Sequence, residues 1–330
     1  MIAPTRNPSP TSSIEPRWVR PSRILFAAAS NPDERGFTYA LTAAQEYGAK
    51  LILLYVFDVL ATATEDVSGA IYFESAMRRA AEKLEPLKKR AETLGVEAEI
   101  VVHSGIAASR ILETAQKSGV DRIVMGTRAP GRIGKFFTGS VAEEVLRSAS
   151  VPVVTLGPNA LDPKVHGHTL RRILCTASHL NCELQPVLLA GRIAEKHDAE
   201  LTILHLITPR EESPLDPGCS TATLEAELKA LLPRSVDRQI LIRSLSTAGS
   251  VGDEIVFQTR QRRSDLVILG AHPATTLETI ARQGMVNQVL AQSLCPVMTL
   301  KHAIPRVWAP QLAEPDLDYF SESTWLGGIF

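Results

Sequence analysis

The chain has 330 residues, 45% of them apolar, and its 35 Lys and Arg residues nearly balance its 36 Asp and Glu residues. This length is enough for two domains of about 150 residues each. A balanced charge creates no overall field that would attract nucleic acid or an anionic membrane, so we expect neither as a partner.

Neither a membrane segment nor a secretion signal is indicated. No apolar run reaches the roughly 18 residues that a membrane-spanning helix needs. The apolar part of RPSRILFAAAS covers only Ile24–Ala29, shorter than the about 7 residues of the smallest secretory core, so a buried strand is the better interpretation. The cysteines lack metal-type spacing and two lie in strand-like runs, so we expect reduced thiols in a core and a cytoplasmic location. They are Cys175, Cys182, Cys219 and Cys295.

Strand-like and helix-like stretches alternate along the first half of the chain. The strand-like runs are rich in Val, Ile and Leu and are apolar on consecutive residues, as in strands covered on both faces. The helical stretch Glu74–Gly95 ends on a glycine suited to a left-handed cap, and Pro86 inside it predicts a kink or a break. This order predicts a parallel sheet with right-handed crossovers and helices on both faces. The predicted strands are Ile24–Ala29, Leu51–Phe57, Ala98–His103, Arg122–Gly126 and Pro152–Leu156.

The chain contains two copies of one pattern. Four segments of the first half return in the second half in the same order, and the last two pairs share one spacing, 144 positions. Four matches in register indicate a duplicated domain. The pairs are RILFAAAS with RILCTASH, GAKLILLYVFD with DAELTILHLIT, VDRIVMG with SDLVILG, and VPVVTL with CPVMTL.

Composition divides the chain into five parts. The Pro- and Ser-rich start is typical of disorder, and a polar stretch separates the two copies. The tail is interrupted by prolines yet rich in aromatic residues, so it either docks onto a groove or lies over the protein's own surface. We predict a lead over 1–21, a first domain over 22–158, a linker over 159–170, a second domain over 171–302 and a tail over 303–330.

One loop, within VMGTRAPGRIGKFFTGSVAEEV at 124–145, is rich in glycine and basic residues. Ligands of open parallel sheets bind beyond the carboxyl ends of the strands, where strand order reverses. Gly139 and Ser140 precede a helical stretch whose unpaired N–H groups attract anions, and Ser140 either caps that helix or donates to a phosphate. The loop is thus a phosphate-binding loop or a flexible turn. Its basic residues are Arg128, Arg132 and Lys135.

Three stretches, ILFAAAS, VVHSGIAASRILETAQKSGVDRIVMG and the glycine-rich loop, carry a resemblance to the universal stress protein family over residues 23–158 and 172–302. The resemblance implies two tandem doubly wound α/β domains, Rossmann-like and similar to adenine nucleotide alpha hydrolases. Each would hold a five-stranded parallel sheet of order 3-2-1-4-5. The middle stretch recurs in the second copy, where Gly249, Ile255, Asp265 and Gly270 match Gly105, Ile111, Asp121 and Gly126.

Family members that bind ATP carry a glycine, two residues, a glycine, nine residues and then Gly-Ser or Gly-Thr. Here Gly126 matches, Ala129 replaces the second glycine, and Gly139 and Ser140 follow in register. The resemblance therefore implies ATP or another adenine nucleotide, with or without Mg²⁺, in the N-terminal domain. An aspartate that the family places at the end of the first strand is replaced by Ala29. The implied site residues are Ala28 and Val56 near the base, and Gly126, Arg128, Gly139, Ser140 and Val141 near phosphates and ribose.

The second copy departs further from the family pattern. Pro273 replaces the second glycine, Gln283 and Gly284 replace Gly-Ser, and Ser178 stands at the strand end. We therefore expect this half not to hold ATP as the family does. We expect His179 and His272 near the cleft of the second copy that would hold the nucleotide in the family. There they are either metal or proton-transfer groups, or surface and packing residues.

The sequence offers no support for an enzyme. No histidine is placed beside Ser140 as a base, the helical Glu143 and Glu144 are expected to be solvated, and a P-loop spacing is absent. At most we expect very slow ATP hydrolysis. An ATP-dependent ligase or a pyrophosphatase of related fold would need an acidic metal cluster that the sequence does not offer.

Two functional hypotheses follow. The first is a stress-response or regulatory protein that binds adenine nucleotide, which would stabilise one arrangement of the loop Thr127–Thr138 that an unknown protein partner reads. The second is an interaction or scaffold module with both sites degenerate. In either case we expect the two copies to pair within the chain through Val151–Leu156 and Cys295–Leu300. The sequence does not determine whether two chains then form a homodimer.

Overall fold

The computed structural model of the chain describes residues 17–29, 32–57, 67–127, 139–161, 170–177, 185–207, 225–226, 228–230, 232–236, 238–244, 250–271 and 277–301. The aromatic tail and the first sixteen residues of the predicted lead lie outside these ranges. In the first half, the elements are β1 Arg23–Ala28, α1 Glu34–Tyr47, β2 Lys50–Phe57, α2 Val67–Thr93, β3 Ala98–Ser104, α3 Ala107–Lys117, β4 Arg122–Gly126, α4 Ser140–Ser148 and β5 Val153–Leu156. In the second half, they are β6 Arg172–Ala177, α5 Gln185–His197, β7 Glu200–Ile207, β8 Arg238–Ser244, α6 Val251–Gln261, β9 Leu266–Ala271, α7 Leu277–Gln292 and β10 Val297–Lys301.

The five strands predicted for the first half all form. The helix α2 differs from the expected pattern, because it runs through Pro86 without ending, so the predicted break is wrong. Leu84 and Ala91, on either side of the proline, are 1% and 0% exposed. Burial of this face on both sides outweighs the hydrogen bond that proline removes. Gly95 has a φ of 78°, so the left-handed turn after this helix is confirmed.

The ten strands within the described residues belong to one sheet of order β3-β2-β1-β4-β5-β10-β9-β6-β7-β8. Each half alone has the predicted order 3-2-1-4-5 with parallel neighbours. The halves meet where β5 pairs antiparallel with β10, and Val154 lies opposite Met298 at the centre of this junction. The predicted pairing through the fifth strands is therefore confirmed, and it leaves neither strand as a free edge.

Two apolar layers cover the sheet, one on each face. The first packs α1, α2 and α5 on the sheet, and the second packs α3, α4, α6 and α7 on the other face. Each layer contains buried residues of both halves, such as Phe37 with Val187 in the first layer and Ile111 with Ile255 in the second. The two copies thus share their cores, so separating them would expose apolar surface.

The first ordered residues precede the predicted domain boundary. Trp18 and Val19 are 7% and 5% exposed and belong to the first core layer. The prediction of disorder up to residue 21 is wrong at these positions. Burying the tryptophan and the valine removes their apolar surface from water, and this favours an ordered chain. The carbonyl of Trp18 also accepts a bond from Arg122, at 3.4 Å.

The aspartate repeated in the two copies has a structural role. Asp121 is 4% exposed, and its Oδ2 accepts the main-chain N–H of Ser22 at 2.8 Å and of Arg23 at 3.1 Å. Asp265 accepts the N–H of Arg171 and of Arg172 at 3.0 and 2.9 Å. In both halves, this carboxylate ties the amino ends of two central strands together.

At the junction, one buried hydroxyl lacks a partner. Thr155 is 0% exposed, and its Oγ1 has no hydrogen-bond partner among the described residues. We expect Thr155→Val to raise the free energy of unfolding by about 1 kcal/mol in urea titrations, because the isosteric methyl removes an unsatisfied polar group. The control is Thr299→Val, whose Oγ1 donates to the Val153 carbonyl at 3.4 Å and which should gain nothing. A less stable Thr155→Val protein would contradict this expectation.

Candidate functional site

The carboxyl ends of β1, β2 and β4 line a partly open cavity of about 370 Å³ in the first half, bordered by the first turns of α3 and α4. We call it the first-half cavity. Its volume is within the range of small-molecule sites, and it lies beyond the carboxyl ends of β1 and β4, where the strand order reverses, as expected for an open α/β sheet. Its floor is apolar and includes Leu54, Ile111 and Met125.

Six of the seven residues predicted for the site line this cavity. Arg128 lies outside the described residues, as do Ala129 and the remainder of the loop through residue 138. The six come from three strands and one helix that are distant along the chain. They are Ala28, Val56, Gly126, Gly139, Ser140 and Val141. The structure brings the predicted residues together, and their role in binding remains a prediction.

The amino end of α4 opens into the first-half cavity without a side-chain cap. Gly139 is the N-cap residue with a φ of 92°, and it provides no side-chain cap hydrogen bond. No described atom lies within 4 Å of the point that a Gly139 Cβ would occupy. Ser140 is the first residue of the helix, so of the two roles considered for it, a helix cap or a phosphate donor, the structure excludes the cap. The helix therefore offers bare N–H groups and its positive dipole end to the cavity.

A second helix also begins at this cavity, which the sequence reasoning missed. Ala107, the first residue of α3, is part of the lining, and the N-cap Ile106 makes no side-chain cap bond. Gly105 has a φ of 119°, and its N–H donates to the carbonyl of Phe57 at 3.0 Å. This bond fixes the start of α3 against the end of β2. The glycine after a predicted strand was the signal that could have located it.

The described lining of the cavity carries no charged side chain. Its polar side-chain groups are the hydroxyls of Tyr55 and Ser140. Ala29, which stands where the family resemblance expects an aspartate, is part of the lining. A ligand inside the cavity would therefore meet apolar surface and main-chain groups, and a negatively charged part would be met by helix N–H groups.

His103 lies beside Val56 in the sheet. The two residues are partners in the parallel pairing of β2 with β3. The sequence did not show how close this histidine lies to Ser140. Ser140 lies across the sheet at the start of α4, and no described hydrogen bond joins it to a histidine. The described residues include no group of three or more His, Cys, Asp or Glu that could hold a metal ion.

The carboxylate of Asp33 packs against Gly126. A Cβ on this glycine would lie 2.6 Å from Oδ2 of Asp33, so a larger residue here would have to displace the Asp33 side chain. Asp33 caps α1 and accepts the N–H of Arg35 at 3.1 Å. The same carboxylate accepts from Nε of Arg35 at 3.1 Å and from its Nη2 at 3.2 Å. The Asp33 carboxylate, bound by Arg35 at the start of α1, thus packs against the end of β4.

A second, smaller cavity lies between the two halves. Its volume is about 30 Å³, enough for roughly one water molecule. Lys196 donates to the Glu46 carbonyl at 3.2 Å and lies 4.5 Å from the centre of the Tyr47 ring. Arg122 lies 5.1 Å from the same ring. Burial raises the pKa of Tyr39 to about 12 and also raises the pKa of Glu46. This cluster joins α1 to α5 and offers no room for a larger ligand.

We expect the partly buried His197 to make stability depend on pH. Burial, aided by Lys196 and Arg122, lowers its pKa below 6.5. The unfolded chain therefore binds the proton first, so stability is lost as the pH falls from above 6.5 through the lowered value. Glu46, whose Oε2 lies 3.8 Å from Nε2 of His197, has a raised pKa, so its contribution to stability has the opposite sign and is gained as the pH falls through that raised value.

The measurement is urea unfolding between pH 8 and pH 5.5 or so, a window around the ordinary histidine pKa, for the native protein and His197→Gln. The variant should lose less stability across this window, because glutamine does not titrate. Equal slopes in the two proteins would show that another group controls the loss.

Several predictions for the second half lie outside the described residues: Ser178, His179, His272 and Pro273. Gly284 is described as an exposed residue of α7. In the described part of the chain, no helix is both long and apolar enough to cross a membrane.

The fold and the site define a class: a tandem doubly wound α/β protein with a small-molecule cavity at the carboxyl edge of its first half. The model of the Universal stress protein family matches residues 21–156 and 169–301. The chain therefore belongs to the universal stress protein family, with two domains in tandem.

Individual relatives agree with this assignment. A universal stress protein of Thermus aquaticus is 33% identical over 133 residues, which are 40% of this chain and 94% of the relative. One of Methanocaldococcus jannaschii is 32% identical over 120 residues, 36% of this chain and 71% of the relative. The crystal structure of a universal stress protein from Archaeoglobus fulgidus has a TM-score of 0.68 at 19% identity, and the match covers 85% of this chain and 96% of that one.

Proposed function

We propose that this protein binds an adenine nucleotide, ATP in the first instance, in the first-half cavity, and that it acts in the stress response as a nucleotide-dependent regulatory protein. The observation that carries the proposal is the convergence of Gly126, Gly139 and Ser140 with the ends of β1 and β2 on one cavity of about 370 Å³. Nucleotide would shift the population of conformations that a protein partner reads.

The chemistry of the cavity supports a ligand with an apolar part and an anionic part. Purine surface suits the apolar floor, and main-chain groups of Val56 and Ala28 lie at its edge. Two helix starts without side-chain caps offer N–H groups for phosphate oxygens. Mg²⁺ would enter with a triphosphate, because the described lining has no carboxylate to hold it alone. A cytoplasmic location is part of the same proposal.

A second candidate function is an interaction scaffold that binds no nucleotide. The uncharged lining favours it, because Ala29 leaves the cavity without a carboxylate to accept hydrogen bonds from a base or a ribose. The shared cores and the central junction would serve such a scaffold equally well. A homodimer of chains is compatible with either function.

One experiment separates the two candidates. We expect mass spectrometry of the denatured, purified protein to detect released adenine nucleotide, and calorimetry to measure micromolar ATP binding. Gly139→Trp should abolish this binding, because Gly139 has a φ of 92° and lines the cavity mouth, where an indole would exclude the phosphates.

The matched control is Gly48→Trp. Gly48 also has a positive φ, 64°, with no described atom within 4 Å of a Cβ, but it caps the far end of α1. This variant also places a tryptophan at a glycine of positive φ, although the left-handed helical conformation of Gly48 strains it less than that of Gly139, and it should bind ATP like the native protein. No released nucleotide and no heat at millimolar ATP would reject nucleotide binding and favour the scaffold.

A further inference from the structure

Asp33 and Arg35 form a bracket between the first-half cavity and the second half of the chain. We call these two side chains the Asp33–Arg35 bracket. On one side, the Asp33 carboxylate fills the space beside Gly126, 2.6 Å from where a Cβ would stand. Gly126 itself lines the cavity. A ligand that moves this strand end therefore moves against the carboxylate.

On its other side, the bracket holds the segment that leaves β5. Nη1 of Arg35 donates to the carbonyl of Ala160 at 2.7 Å, with longer bonds to Pro158 at 3.3 Å and to Gly157 at 3.4 Å. A guanidinium can do this while its Nε and Nη2 remain on Asp33, because its donors form a rigid planar fork. One side chain thus contacts both the cavity support and the connection between halves.

The segment held by Arg35 is fastened to α7 of the second half. The side-chain amide of Asn159 donates to the Ala291 carbonyl at 2.7 Å, and the N–H of Leu161 donates to the Leu294 carbonyl at 2.8 Å. Gly157 packs against the backbone of Leu290. A continuous set of contacts therefore runs from the cavity to the end of α7.

The second half lacks the arginine of this device. Counting back from the matched Ala49 and Ala199, the position of Arg35 is taken by Gln185. Glutamine is uncharged and too short to span a carboxylate and three carbonyl groups at once. The bracket accordingly belongs to the half whose cavity retains the Gly-Ser helix start.

We propose that the Asp33–Arg35 bracket couples the state of the first-half cavity to the attachment of the second half, with Arg35 as the positioning residue. The second half, which departs from the nucleotide-binding pattern, is the part that responds. The ligand-dependent arm of this proposal rests on the proposed function, whereas the arm without ligand does not.

The arm without ligand uses hydrogen exchange of the full chain. Gly126→Ala pushes a methyl group against Asp33, so the exchange of the peptide covering 157–161 should rise about fivefold, the low end of typical coupling between sites. In an Arg35→Met background, adding Gly126→Ala should change this exchange by less than about twofold, because the connection is already cut. Gly284→Ala, on the surface of α7, is the matched control and should change nothing at 157–161.

A second perturbation guards against misfolding of Gly126→Ala. Asp33→Ser retains an N-cap oxygen for α1 while withdrawing the carboxylate. It should raise exchange at 157–161 in the same way. If both variants are folded by circular dichroism and neither changes this exchange, the bracket does not couple the two regions. The same conclusion follows if the change is equally large in the Arg35→Met background.

The arm with ligand adds ATP to the native protein and to Arg35→Lys. ATP should slow exchange at 157–161 and at 290–294 of the native protein by about fivefold. Arg35→Lys retains the charge but not the fork, so it should bind ATP yet lose this protection. If calorimetry detects no ATP binding to the native protein, the proposed function fails and the arm without ligand still decides the coupling. If ATP binds and exchange at these segments is unchanged, the coupling is overturned while the proposed function stands.

Discussion

Gly157→Ala is expected to lower the free energy of unfolding by about 3 kcal/mol, the upper end of ordinary overpacking costs. A Cβ at this position would lie 1.9 Å from the carbonyl oxygen of Leu290 and 3.1 Å from its carbon. These atoms are backbone of α7, so no side-chain rotation can relieve the clash. The segment must move away from the helix and give up the bond between Leu161 and Leu294.

Urea unfolding followed by circular dichroism measures this loss. Gly284→Ala is the matched control, because it makes the same change on α7 itself with no described atom within 4 Å of the new Cβ. Alanine there should stabilise the helix by about 0.5–1 kcal/mol. If Gly157→Ala unfolds at the same urea concentration as the native protein, the contact between segment and helix is looser than described.

Val154→Asp is expected to prevent stable folding or to cost about 4 kcal/mol or more. Val154 and its partner Met298 are both 0% exposed at the centre of the junction. A carboxylate there must be buried ionised or taken up as the neutral acid, and both are costly. Opening the junction instead would leave β5 and β10 as free edges, so soluble aggregates should appear by gel filtration.

Leu161→Asp is the control for this charge. It introduces the same carboxylate in the connection between the halves, but Leu161 is 45% exposed. Its effect should stay within about 0.5 kcal/mol, as for other surface substitutions. A monomeric Val154→Asp protein of native stability would mean that the junction does not hold the halves together.

Much of the fold could be predicted because its signals are local. Continuous apolar runs marked the buried parallel strands, and the repeated segments marked the duplication. Pro86 misled because its local cost was visible in the sequence, whereas the burial of Leu84 and Ala91 on either side of it was not. The position of Trp18 was predicted wrongly for the same reason. Its Pro- and Ser-rich neighbourhood indicated disorder, whereas its side chain packs in the core.

The candidate site also combines features that the sequence showed with features that only the structure showed. The spacing of Gly126, Gly139 and Ser140 could be read from the chain, and the family resemblance added Ala28 and Val56. The contribution of α3 was missed, because the N-cap Ile106 offers no capping side chain and Gly105, the one available signal, does not show by itself that Ala107 lines the cavity. Asp121 also drew attention as a repeated residue, but its bonds to Ser22 and Arg23 give it a structural role.

By itself, the sequence determined the duplicated α/β domain, its strands and the glycine-rich helix start, because hydrophobic period, glycine conformation and repetition act over short distances along the chain. The tertiary structure alone decided that Asp33 supports Gly126, that Arg35 reaches the carbonyls of Gly157 to Ala160, and that the two halves share their cores. These contacts join residues about a hundred or more positions apart, and their geometry depends on how every intervening element packs.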